Sequence, residues 1–127
     1  MKEIVRVMLR IWDMNTMDWM GYDNQERYSF HHIVKKADGG NQISLIDNGA
    51  ILHQNSSHPY LHTIEYYDLD KYIFINNILR QINDQRCMPS TEQLKQIKLV
   101  LKEFQNEYEG KVSSRDKPII KKEYRID

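Results

Sequence analysis

All five histidines of this 127-residue sequence, His31, His32, His53, His58 and His62, fall inside one window of 32 residues. His58 and His62 stand four apart in "HPYLH". On a helix that spacing places both imidazoles on one face, about 5–6 Å apart, an arrangement able to grip one metal ion. His31 and His32 are adjacent in "YSFHHIV", where strand alternation sends neighbouring side chains to opposite sides. One of the two can join the helical pair, and the other faces a different space beside the metal. A hydrolytic metal centre with an open position needs that division: a few ligands, plus a separate base to deprotonate the attacking water. A neutral imidazole, with a pKa of about 6.5, suits the base at cellular pH.

To bring these rings together, the chain must set residues 28–34 beside residues 57–65. "RYSFHHIV" has the β-branched and aromatic content of a short strand, and "AILH" resumes an apolar one. Between them "KKADGGNQISLIDNG" is polar, with Gly-Gly and Asn-Gly turn signals. An antiparallel pair joined by a long excursion is therefore predicted. Ser56 or Ser57 can cap the next helix, and Pro59 fits its first turn, where a missing N–H costs nothing. Asp68 can cap a further helix with Leu69, Tyr72, Ile73, Ile75, Leu79 and Ile82 at helical spacing.

The clearest helix follows. Ser90 and Gln93 make a capping box, Leu94, Ile97, Leu101, Phe104 and Tyr108 form an apolar stripe, and Gly110 stands where a C-terminal glycine belongs. At the start of the chain Ile4, Val5, Met8, Ile11 and Trp12 share a helical face, with Arg6 and Arg10 on the polar side. The segment "DMNTMDWMGYDNQ" is an irregular connection. Its Trp19 and Tyr22 are packing residues, while Met14, Met17, Trp19 and Met20 suit either core or an exposed apolar patch.

With these pieces in place, residues 28 to about 65 resemble the HNH endonuclease family and its strand–loop–strand–helix (ββα-metal) site. The matching residues are His31-His32-Ile33, Gly39-Gly40 in the loop, Asn48 opening the second strand in "NGAILH", and His58 and His62 in "HPYLH". The His-x-x-x-His spacing is most similar to the nuclease colicin branch, in which three histidines hold the metal. The resemblance implies His31, His58 and His62 as metal ligands, His32 as general base, and Asn48 as the residue whose side chain constrains the His32 region. Asn41 and Asn55 are weaker contenders for the asparagine. His53 falls where many relatives carry a zinc-knuckle cysteine, and it is expected to support the site from behind or to pack at the strand end.

The implied cofactor is one divalent metal ion (Zn, Mg, Mn or Ni), the substrate DNA, and the products a 5′-phosphate and a 3′-hydroxyl. The alternative is an HNH-derived, non-catalytic DNA-binding or protein-inhibiting module, a form that suits a phage setting.

The expected fold is α+β: a small antiparallel ββα-metal motif, residues 28–66, embedded in one mainly helical domain spanning 1–127. Residues 1–13 and 68–110 are supporting helices, since so small a motif buries too little surface alone. Residues 111–127 form a tail expected to be partly mobile. The single cysteine, Cys87, excludes an internal disulfide and a cysteine-based zinc site, and it reads as a small apolar filler near a helix end.

Eighteen basic residues balance eighteen acidic ones, so the whole-chain charge gives no sign of a polyanionic partner. Local patches must supply one. Arg27, Lys35 and Lys36 flank the histidine strand as candidate phosphate contacts, and Lys111, Arg115, Lys117, Lys121, Lys122 and Arg125 form a second set in the tail. The helical C-terminal part offers a face for a protein partner. No apolar run approaches the roughly 18 residues of a membrane span, and "MKEIVRVMLR" lacks the features of a signal peptide. A cytoplasmic, reducing setting is expected.

Overall fold

Period-two strands and capped helices appear where the local chemistry asks for them. The computed structural model describes residues 2–13, 18–108 and 110–112. The basic tail residues beyond Lys111, and Met14 and Met17 of the proposed apolar patch, lie outside the described residues.

The order is α1 (Glu3–Ile11), β1 (Tyr28–His32), β2 (Gly49–His53), α2 (Ser57–Tyr67), α3 (Leu69–Gln85) and α4 (Thr91–Tyr108). Three single 3-10 turns, Lys36–Asp38, Gly40–Gln42 and Leu45–Asp47, fill the excursion between the strands. The architecture is α+β: one antiparallel pair in a mainly helical setting. Its register sets Tyr28 opposite His53, Phe30 opposite Ile51, His31 opposite Ala50, and His32 opposite Gly49.

A two-stranded sheet is marginal alone, so the helices must hold it. Ile75, Leu79 and Ile82 of α3, Leu61 and Ile64 of α2, and Ile97 and Phe104 of α4 are fully buried with Ile51 and Leu52 of β2. Each such side chain contributes about 1.5–3 kcal/mol, which makes this stripe, not the sheet ladder, the main source of stability.

The α4 capping box forms as its sequence specifies. The Ser90 N–H donates to Gln93 Oε1 at 2.9 Å, and the Gln93 N–H to Ser90 Oγ at 3.1 Å. Asp68 caps α3 by accepting from the Lys71 N–H at 3.2 Å. Lys71 Nζ then bridges Asp68 and Glu107, at 2.8 and 2.9 Å, fastening α3 to α4.

Several sequence expectations are corrected. Leu69 and Ile73 face solvent, because α3 packs through Tyr72, Ile75, Ile78, Leu79 and Ile82 instead; Ile11 of α1 is likewise exposed. Cys87 is exposed rather than packed, since it lies in the bend after α3. Neither Ser56 nor Ser57 caps α2 through its hydroxyl; Asn24 Nδ2 engages Ser56 Oγ at 2.9 Å.

The irregular segment after α1 is held by one buried carboxylate. Asp18 accepts from the backbone N–H groups of Met20, Tyr22 and His53, at 3.1, 3.0 and 3.2 Å. It thereby ties this loop to the end of β2, beside the fully buried Trp12 and Trp19. Asp18→Ala strands three buried donors, each costing about 1–3 kcal/mol. We expect a loss of about 3–4 kcal/mol in urea unfolding; a loss under about 1 kcal/mol contradicts the tie.

Candidate metal centre

The first histidine of a three-histidine cluster comes from the strand. His31 lies on the sheet face that carries Ser29 and looks toward α2 and α3, where it is almost wholly buried. The second and third come from α2, whose one-turn spacing stacks His58 half-buried above the exposed His62. Ring centroids stand 5.3 Å apart for His31–His58, 5.4 Å for His31–His62 and 5.1 Å for His58–His62. One donor nitrogen from each lies within 4.8 Å of the others, so His31, His58 and His62 form a group able to hold a metal ion. Tyr72 of α3 flanks it, with its ring 6.4 Å from that of His31 and 6.3 Å from that of His62.

The donor chemistry fits an ion. Burial pushes the His31 imidazole down to about 3, and burial with the neighbouring His62 pushes His58 down to about 4. Both rings are therefore neutral at cellular pH, with a lone pair to give. Their orientation is also set from behind, as metal-ligating histidines require. Ser29 Oγ spends its only proton on the Leu52 carbonyl at 3.1 Å, so it must accept from His58 Nδ1–H at 2.7 Å. That leaves His58 Nε2 bare. Glu65 Oε1 accepts from His62 Nδ1–H at 3.0 Å, leaving His62 Nε2 bare in the same way.

His32 is different. It is partly exposed, its ring makes no hydrogen bond among the described residues, and that ring stands edge-on to Phe30 at 4.8 Å. Partial burial, then the nearby Lys36 and Lys2, lower its pKa and favour the neutral form. Alternation sends it to the other face of β1 from His31, into a space beside the three-histidine group. In the fold both rings border one cleft of about 250 Å³, together with Phe30, Lys35, Lys36, His58 and His62. His32 is the last residue of β1.

Asn48 sits at the base of this arrangement, buried at the opening of β2. Its Oδ1 accepts from the Val34 N–H at 2.8 Å, and its Nδ2 donates to the Val34 carbonyl at 2.9 Å. These two bonds clamp the backbone two residues after His32. Gly40 makes the close return possible, because a Cβ there would lie 2.0 Å from the Val34 carbonyl oxygen, while Gly39 turns the chain at a φ of +96°. Asn48→Ala leaves both Val34 groups unpaired, and we expect a loss of about 1–3 kcal/mol together with weaker cleft function. Unchanged urea stability would show the clamp to be dispensable.

The basic residues divide. Lys36 is exposed at the cleft, whereas Lys35 is ion-paired with Glu65, the same carboxylate that holds His62. Arg27 precedes β1 at the end away from His32 and does not line the cleft. His53 is fully buried at the strand end, on the opposite sheet face from His31. Its ring stacks on Tyr28 at 4.8 Å, and its Nε2 lies 3.1 Å from the Asn24 N and 3.0 Å from the Tyr22 carbonyl. Of its two expected roles it takes strand-end packing, because it points into the loop that Asp18 organises.

Two asparagines of α3 escaped the sequence reading. Asn76 meets both His31 Nε2, at 2.9 Å, and the Ile33 carbonyl, at 2.8 Å. Asn83 donates to the carbonyls of Ile46 and Gly49, at 2.9 and 2.8 Å. Their signal was a seven-residue spacing of amides within the packed stripe of α3. Asn41 and Asn55, the other asparagine contenders, are exposed. No helix among the described residues is long and apolar enough to cross a membrane. No family model, curated protein or solved structure matches the chain.

Proposed function

We propose that this chain is a metal-dependent endonuclease of HNH type, hydrolysing phosphodiester bonds of DNA. The observation that carries this reading is a fourth imidazole, His32, held in its neutral form and without a hydrogen bond among the described residues, in the same cleft as a three-histidine group able to hold an ion. A structural metal site has no use for such a base; a hydrolytic one requires it. A divalent ion held there supplies charge stabilisation for the pentavalent phosphate and the departing oxygen.

The chain's own residues do the rest. His32 takes the proton of the attacking water, and Asn48 keeps the strand end that carries His32 in place through Val34. Lys36 contacts the phosphate backbone, joined by Lys35 when a phosphate oxygen replaces Glu65 as its partner. The all-nitrogen donor set suits zinc or nickel better than magnesium.

The test is cleavage of supercoiled plasmid by chelator-stripped protein, supplied in turn with Zn²⁺, Ni²⁺, Mn²⁺ and Mg²⁺. Nicked or linear products with at least one ion, abolished by EDTA, are expected. Metal uptake without cleavage under every ion overturns the nuclease reading in favour of the non-catalytic binding module.

A further inference from the structure

Asn76 stands outside the strand–loop–strand–helix motif, 45 residues from the histidine it touches. Its amide makes two bonds, and proton accounting fixes the direction of both. The Ile33 carbonyl has no proton to give, so the group facing it at 2.8 Å must be Asn76 Nδ2. The other end of the amide, Oδ1, then faces His31 Nε2 at 2.9 Å. An amide oxygen can only accept, so His31 Nε2 must carry the ring proton. The bare lone pair of His31 is therefore on Nδ1.

From this geometry we infer that Asn76 is a positioning residue for the metal centre: anchored by the Ile33 carbonyl, it locks His31 as the Nε2–H tautomer and so presents Nδ1 to the ion. Ser29 and Glu65 perform the corresponding service for His58 and His62 from within the motif. Asn76 ties the outer helix α3 to His31 by a hydrogen bond, so docking of α3 and readiness of the first ligand become one event. The inference rests on the three-histidine metal centre and not on hydrolysis.

Two measurements test it on the full chain. In metal-free protein at pH 7.5, long-range ¹H–¹⁵N correlation of the histidine rings should show His31 as a single Nε2–H tautomer, and Asn76→Ala should mix the two forms. A wild-type Nδ1–H pattern overturns the inference, since Nε2 would then face the ion and Asn76 would serve as an oxygen ligand. This spectrum is informative even if the wild type takes up no ion, an outcome that would instead sink the metal reading itself.

The second measurement is Zn²⁺ affinity by chelator competition. Asn76→Ala should weaken binding about 10- to 100-fold. Asn76→Asp keeps an acceptor for His31 but loses the donor to Ile33, so it should destabilise the fold while holding zinc within about threefold of wild type. Equal loss of affinity in both variants would assign Asn76 a purely structural role, and would overturn the inference. Should the alanine variant fail to fold, the wild-type spectrum and the aspartate variant decide the matter together.

Discussion

His32→Ala is expected to slow plasmid cleavage by about 10²–10⁴-fold, the usual contribution of a positioned general base, while leaving zinc affinity within a few-fold of wild type. The split follows from the geometry. Among the described residues the His32 ring makes no hydrogen bond, and although it borders the same cleft it is not bonded to the groups that hold the three histidines, so its removal disturbs neither Ser29, Asn76 nor Glu65. Its ring touches Phe30 edge-on, and it is partly exposed, so little packing is lost with it. A neutral base also predicts that His32→Gln, which keeps the size but cannot take up the proton, behaves like the alanine variant. Cleavage that survives either change at wild-type rate overturns the assignment of the base. Loss of zinc in His32→Ala would exchange its role with that of His31.

Zinc at about one hundred times its dissociation constant should stabilise the fold by about 2.7 kcal/mol, a rise in Tm of roughly 8–14 °C for a chain of this size. The stabilisation would arise because an ion held by His31, His58 and His62 links β1 to α2, which the Ser29–His58 hydrogen bond also joins. His58→Ala should abolish the rise. His58 is half-buried and, among the described residues, its ring is hydrogen-bonded to Ser29 Oγ alone, so the metal-free variant keeps its core and its unligated Tm should fall by only a few degrees. Differential scanning calorimetry with and without zinc reads both quantities. An unchanged zinc-induced shift in His58→Ala would exclude this residue as a ligand, and a shift absent from the wild type would dismiss the centre.

Much of this could be read from neighbouring residues. The α4 capping box, the Asp68 cap and the two short strands are encoded within a few positions, and the structure realises each of them. The pairing of His58 with His62 is equally local, because helical pitch alone sets residues four apart side by side. Surface assignments were less legible. Leu69 and Ile73 are apolar side chains of α3, and only the rotation at which α3 docks decided that they face water; Cys87 is exposed in the bend that follows. Lys35 read as a free phosphate contact until α2 brought Glu65 across to it.

The sequence by itself therefore determined the main elements and the pairing of His58 with His62, since helical spacing depends on nothing beyond the local chain, while the fold decided that His31 rather than His32 joins them. Tertiary structure decided what surrounds them. Whether His53 faces the centre or the Asp18 loop, and which amide reaches His31, depend on contacts spanning 31 to 45 residues. The contact to His31 goes with the burial of the Ile75–Leu79–Ile82 stripe of α3. That packing fixes the roll of α3, and the roll carries Asn76 to the back of the first ligand.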